Sequence, residues 1–415
     1  MEFIADFHIH SKYSRATSRD MDIENIAKWA NIKGIQLIGT GDFTHHLWLQ
    51  ELKSKLEPLD NGLFTYNNVN FILTAEISSI YSKRGKTYRI HNIIFAPSFK
   101  IVEKINQALI RYGANLTSDG RPIIGMDAKN LAKLVFDIDE NCMVIPGHAW
   151  TPWFSVFGSM SGFDRLEDCF EELTPKIFSI ETGLSSDPQM NWRLSALDKI
   201  TLISNSDSHS PAKIGREANV FDCELNYKTI RDVLKTKDKK RFLYTIEFFP
   251  EEGKYHFDGH RNCGVCFSPQ EAKKHKNICP KCGRLLTIGV MNRVDQLADR
   301  PEGFIPHNSI PYKNLIPLEE IIADVLDVAP QSKTVEKEYF NTIAKFHTEF
   351  NCLLKASEED LIENLPEKQA KAIIAVRAGL VKLQPGYDGE YGKIQVLIQE
   401  KLKNKTNKEE QLNLF

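Results

Sequence analysis

Two spacings near opposite ends of the first half of the chain could do chemistry: His8-x-His10 and Asp207-x-His209. Side chains alternate along an extended strand, so each pair presents both of its groups to one face. Asp42, Glu76, His91 and His148 lie between them. Imidazole nitrogen and carboxylate oxygen suit divalent Zn, Mn or Mg, and a centre for two or three ions needs several histidines and a carboxylate able to bridge. Such a centre hydrolyses: the ions acidify water and offset charge on the attacking and leaving oxygens. No serine nucleophile is required, and Ser204 and Ser206, close to Asp207, read as loop serines.

A second set is made of sulfur. Cys263-x-x-Cys266 and Cys279-x-x-Cys282 stand twelve residues apart. Four thiolates at this spacing predict one closed, structural zinc site. The other cysteines, Cys142, Cys169, Cys223 and Cys352, read as packing residues. Residues 254–293 carry eight Lys or Arg and two acidic residues. Subtracting about −2 for a four-thiolate zinc leaves a local excess of roughly +4, which suits a phosphate backbone. Aromatic residues offer stacking faces: Trp150, Trp153 and Phe154 follow His148, and Tyr387 and Tyr391 sit in the glycine-rich PGYDGEYGKI.

The elements that must position these groups are legible from hydrophobic pattern. FIADFHIH, IQLIGTGDF, VNFILTAEIS, RIHNIIFAP, CMVIPGHAW, KIFSIETGL and ITLISNSDSH read as buried strands. Helices between them are marked by an Asp22 cap with Gly34 as stop, an Asp127 cap before AKNLAKLVFDI, and TIRDVLKTK after the last strand. Alternating strands and helices predict a parallel α/β sheet, and seven strands fit a barrel. The His, Asp and Glu candidates sit at or near the C-terminal ends of the apolar runs, where a barrel gathers residues from distant parts of the sequence. PLEEIIADVL and VEKEYFNTIAKF read as helices of a later, mainly helical region, and KLKNKTNKEEQLNLF as a tail.

Bulk properties narrow the class. The 415 residues exceed one compact core, so several domains are expected. Formal net charge is −2, so any polyanion-binding surface is local. No apolar run approaches the roughly 20 residues of a membrane span. MEFIADFHIHS lacks a signal-peptide pattern, and Cys-x-x-Cys pairs without an export signal favour zinc over disulfides. The expected compartment is the cytoplasm, in association with the nucleoid, and no membrane partner is expected.

DFHIHS, the glutamate of TAEIS, HNI, PGHAW and SNSDSH resemble the motifs of the PHP superfamily. The resemblance implies a distorted (βα)7 barrel with two or three divalent ions. It places His8, His10, Glu76 and Asp207 on one ion and Glu76, His91 and His148 on a second, leaving Asp42 and His209 for a third. Asp207, Glu76 and His148 are the implied catalytic residues. The second motif departs from the pattern, reading TGDFTHH with Phe43 where a histidine is usual; Asp42, His45 or His46 could substitute.

The order of parts is similar to the endonuclease Q family: a PHP domain (1–250), a four-cysteine zinc module (251–290), a C-terminal DNA-binding domain (291–400) and a tail (401–415). That likeness implies a DNA repair endonuclease acting 5′ to deaminated bases (uracil, hypoxanthine, xanthine) and abasic sites, with 3′-hydroxyl and 5′-phosphate products. The closing QLNLF resembles a peptide that docks on the bacterial sliding clamp through Gln411, Leu412, Leu414 and Phe415. The alternatives are a small-molecule phosphatase on the same barrel, which leaves the zinc module unexplained, and a non-catalytic clamp-associated DNA-binding protein, which leaves the metal ligands unexplained.

Overall fold

The computed structural model describes residues 1–397. The Gln411, Leu412, Leu414 and Phe415 of the clamp-peptide reading lie outside the described residues.

All seven predicted strands form. They are β1 (Glu2–Asp6), β2 (Leu37–Gly39), β3 (Val69–Lys83), β4 (Lys86–Ala96), β5 (Met143–Pro146), β6 (Ser179–Glu181) and β7 (Thr201–Ile203). Two more follow, β8 (Ala218–Asp222) and β9 (Phe242–Glu247). The predicted helix stops also hold. Asp22 caps the Ile23–Lys33 helix by accepting from the Asn25 amide, and Gly34 ends it at φ 86°. Asp127 caps Ala128–Ile138 in the same way.

The sheet is mixed, not parallel. β1, β2 and β3 run parallel, but β3 and β4 form a long antiparallel hairpin, β4 pairs antiparallel with β5, and β1 pairs antiparallel with β8. Arg84 and Gly85, both at positive φ, turn the hairpin in two residues, so no crossover helix intervenes there. β6 and β7 form a separate parallel pair. The ladder therefore does not record the closed seven-stranded barrel. The last predicted strand approaches the first through the single parallel bridge Ile9–Ser208.

β8 and β9 extend the sheet on the far side of β1, and Tyr312–Asn314 adds in parallel to β9, so the sheet draws in a strand from beyond the cysteine-rich segment. Helices Leu318–Leu326, Lys333–Phe346, Glu358–Asn364 and Glu367–Arg377 follow. They are tied to the first helix by Glu349, buried, which accepts from Lys33 Nζ at 2.6 Å, from Tyr339 Oη at 2.6 Å and from the Leu318 amide at 3.1 Å. Among the described residues no helix is long and apolar enough to cross a membrane.

Candidate metal centre

Strand ends bring the predicted ligands together. His8 and His10 follow β1, Glu76 sits within β3 and His91 within β4, His148 follows β5, and Asp207 and His209 follow β7. Three groups of ligand atoms result: His8, His10 and Glu76; His10, Asp207 and His209; and Glu76, His91 and His148. Glu76 is shared by two groups. Its Oε1 lies 2.6 Å from His91 Nδ1 and 3.1 Å from His148 Nε2, and its Oε2 lies 3.4 Å from His10 Nε2. This is the geometry of a bridging carboxylate. Asp207 Oδ1 lies 3.0 Å from His10 Nε2 and 3.7 Å from His8 Nε2.

The donor set fits divalent ions on a further observation. His8 Nε2 is buried with no hydrogen-bond partner, 3.8 Å from Glu76 Oε2. A nitrogen lone pair left over among carboxylates in a dry site is what a metal ion satisfies. Three of the positions are also backbone-strained: Asp42, His148 and Asp207 have φ of 46°, 27° and 46°. Non-glycine residues hold the left-handed region only where their surroundings over-determine it. Gly183 faces His148 closely: a Cβ there would come within 2.5 Å of the His148 Cβ.

Orientation comes from residues behind the ligands. Glu181, buried at the end of β6, accepts from His8 Nδ1 at 3.0 Å, from the His148 amide at 2.7 Å and from Asn205 Nδ2 at 2.8 Å. Asp6, also buried, accepts from the amides of Ser206 and Gly215. Neither was singled out from sequence. Glu181 had the same signature as the chosen ligands, a carboxylate closing the apolar run KIFSIE.

Electrostatics divide the histidines. Burial disfavours charge on His10, but Asp42 and Asp207 outweigh it and raise its pKa to about 9. Burial opposes charge on His8 and His148 too, yet Glu181 beside His8 and Glu76 beside His148 raise both. Burial wins at His91, which falls to about 4, and at His209, which is also lowered. Burial raises the cost of a charged Glu76, but His91 and His8 hold its pKa well below the usual range. The centre holds its carboxylates ionised, as metal ligands must be.

The resemblance puts Asp42 on a third ion with His209; in the structure Asp42 stands outside the three ligand groups, and both its oxygens accept hydrogen bonds. Oδ1 accepts from His10 Nδ1 at 3.1 Å, and Oδ2 accepts from the Ser11 amide and from the Ser11 and Ser14 hydroxyls. Asp42 orients His10, and His209 groups with His10 and Asp207 instead. His45, the suggested substitute, faces the Thr117 carbonyl.

Of the aromatic candidates, one lies in the core and the others are half-buried or exposed. Trp150 is fully buried, donates to Asn191 Oδ1 at 2.7 Å and packs on Phe157, so it is a core residue. Tyr387 packs over Gly259, where a Cβ would fall within 2.3 Å of its ring. Trp153 is half-buried against Tyr255, Phe154 lies 4.7 Å from the His91 ring, and Tyr391 is 69% exposed beneath Lys254.

The cysteine module assembles with one substitution. Cys263, Cys279 and Cys282 group with His260, three residues before Cys263. Cys266 does not join them; it lies on the short strand Val265–Phe267, opposite Gly259 of Asp258–His260. His260 Nδ1 is 3.9 Å from Cys282 Sγ. The basic excess is smaller than counted, because Lys273 pairs with Asp295 and Arg293 with Asp164. Cys142, Cys169, Cys223 and Cys352 are free and buried, as packing residues should be.

The chain is similar to several known proteins. The family described as "MJ0043 C-terminal domain" matches residues 317–380. The uncharacterized protein YqxK of Bacillus subtilis is 29% identical over 94% of this chain and 98% of its own length. The uncharacterized protein MJ0043 of Methanocaldococcus jannaschii is 31% identical over 66% of this chain, which spans only 35% of that protein. The crystal structure of the lesion-specific endonuclease PfuEndoQ from Pyrococcus furiosus superposes with a TM-score of 0.86 at 34% identity, covering 95% of this chain and 96% of that one. A structure of Endonuclease Q in complex with a 27-mer duplex substrate carrying an abasic lesion at the active site superposes at 0.85, with 33% identity, over 96% of this chain and 98% of that one. Likeness at this identity over nearly the whole length of both chains shows that the protein belongs to the endonuclease Q family.

Proposed function

We propose that the protein is a metal-dependent DNA repair endonuclease that hydrolyses the phosphodiester 5′ to deaminated bases (uracil, hypoxanthine, xanthine) and abasic sites, leaving a 3′-hydroxyl and a 5′-phosphate. The observation that carries it is the convergence of His8, His10, His91 and His148 on one buried carboxylate, Glu76, with Asp207 against His10, in a chain of the endonuclease Q family. Two divalent ions fit, and His10, Asp207 and His209 offer a third position. Bound there, divalent ions would acidify water and offset charge on the phosphoryl oxygens.

The residues of the chain supply the rest. Glu76 holds two ligand groups in register, and Glu181 and Asp42 fix the rings of His8 and His10 so that their Nε2 atoms face inward. Phe154, beside His91, and Trp153, against Tyr255, would line the approach where a flipped base would lie. The cysteine module with its lysines would hold DNA backbone around a structural zinc, and QLNLF would tether the enzyme to the bacterial clamp. A PHP-type barrel, a zinc module and a helical DNA-binding domain remain our division of the chain.

The test is a nicking assay on duplexes carrying one uracil, hypoxanthine or abasic site, against p-nitrophenyl phosphate. Lesion-dependent nicks with 5′-phosphate ends are expected. Turnover of p-nitrophenyl phosphate without nicking would instead make it a small-molecule phosphatase.

A further inference from the structure

Arg121 brings a guanidinium to the shared carboxylate of the centre, whereas Arg216 meets only the backbone carbonyls of Ser206 and Asp207. The Arg121 Nη1 donates to Glu76 Oε2 at 3.2 Å, and its side chain is 25% exposed, at the edge between the buried ligands and solvent. Glu76 is its only side-chain acceptor among the described residues, so most of its N–H groups have no protein partner.

The backbone that presents Arg121 is held from every side. Its amide donates to Asp119 Oδ1 at 3.1 Å, and Asp119 also pairs with Arg15 at 3.3 Å. The Gly120 amide donates to the Tyr13 carbonyl, the Gly120 carbonyl accepts from Thr44 Oγ1, and the Pro122 carbonyl accepts from the Ser78 amide. A Cβ at Gly120 would lie 2.4 Å from Asp42 Oδ2, so only glycine allows this approach. A long cationic side chain is thus mounted on a rigid stretch that touches the residue orienting His10.

A permanent cation here is costly for a purely structural purpose. Glu76 already has four imidazoles around it, and a guanidinium against its Oε2 repels any cation that carboxylate binds. The cost is recovered when an anion enters, because a guanidinium and a metal centre then share it. Guanidinium forks match phosphate oxygens geometrically and stay charged at all working pH values.

We propose that Arg121 binds the phosphate of the substrate, donating to a non-bridging oxygen of the phosphodiester. This rests on the phosphoester reading of the site, not on the identity of the lesion. The ligand is the phosphate oxyanion itself, whether in DNA or free.

Inorganic phosphate titrated calorimetrically into the metal-loaded protein tests it, with metal content measured on the same samples. Arg121→Gln should lose about tenfold to a hundredfold in phosphate affinity, the effect of a hydrogen bond to a charged group, with metal content unchanged. Arg121→Lys, which keeps the charge but loses the fork, should lose less and guards against a misfolded Gln variant. Unchanged phosphate affinity in Arg121→Gln would overturn the proposal. So would a loss that tracks a loss of metal, which would make Arg121 a positioning residue for Glu76. The same outcomes separate this proposal from the endonuclease reading. Arg121-dependent phosphate binding without nicking of lesion duplexes upholds the residue and rejects the substrate; nicking with Arg121-independent phosphate binding does the reverse.

Discussion

The histidine–carboxylate centre and the cysteine module both gather metal ligands, and they do so by opposite means. In the centre, ligands come from strand ends spread between His8 and His209, and the imidazoles of His8, His10 and His148 are each oriented by a protein partner: Glu181, Asp42 and Thr151. In the module, ligands come from the single stretch His260–Cys282, and the buried core around them is Val265, Ala272, Cys279 and Leu286, with Cys282 exposed. The ligands of the first site are oriented by the scaffold. Those of the second have little core behind them, so an ion bound there would supply much of its folding energy.

The strongest way to break the comparison is to remove the shared ligand. Glu76→Gln should strip metal from the centre and lower cleavage by more than the roughly 10³-fold that loss of one electrostatic donor costs. The rest of the fold should persist, with a melting temperature near that of the parent. Metal analysis and nicking rates check it; a variant that unfolds would show that the scaffold does not define the site.

The converse is Cys279→Ser, or a chelator that strips the module first. One zinc per chain should be lost, and limited proteolysis should open residues 254–290 while the centre keeps its ions. Next in size is Glu181→Gln. Removing the charge that orients His8 should cost about 10- to 100-fold in metal affinity or activity, the usual range for a partner behind a ligand. Equal activity would show that His8 needs no orienting charge.

A smaller test sharpens the module itself. The geometry puts His260 in the fourth position, so His260→Ala should weaken zinc retention and Cys266→Ser should not. Zinc loss in Cys266→Ser alone would restore the four-cysteine set.

The smallest effect concerns acids buried behind the centre. Burial raises Glu247 to about 8 and also raises its neighbour Glu217. The folded protein thus keeps a proton that the unfolded chain releases near pH 4.5. The stability this gives is complete below that pH and is lost as pH rises through about 8. Glu247→Gln stays neutral and can keep both contacts, its oxygen accepting from one threonine hydroxyl and its amide donating to the other. Its melting temperature should match the parent at pH 5 and exceed it by a few degrees at pH 9, measured by thermal scans.

The sequence was a good guide where chemistry and periodicity coincide. His8, His10, Glu76, His91, His148, Asp207 and His209 each belong to a ligand group, and all seven strands formed, because a polar residue in or closing an apolar run has few other reasons to be there. It was a poor guide where a residue's role depends on its neighbours in space. Asp42 has the right type and place for a ligand, but only the fold shows Ser11 and Ser14 filling its oxygens. Trp150 sits next to the site in sequence, yet Asn191 draws its indole into the core. Arg121 lies in a loop with no pattern at all. The antiparallel hairpin was readable in Arg84-Gly85 and was masked by the expectation of alternating helices.

The bridge between Ile9 and Ser208, and the contact of His10 with Asp207, carry a consequence for synthesis. A ribosome adding about 5–20 residues each second needs on the order of 10–40 s to pass from the first histidines to the last. For all that time the emerging chain has the His-x-His pair but not the aspartate that faces it. A product cut short before residue 207 lacks two members of the group His10, Asp207 and His209, which is complete only once the chain that bridges back to Ile9 has been made.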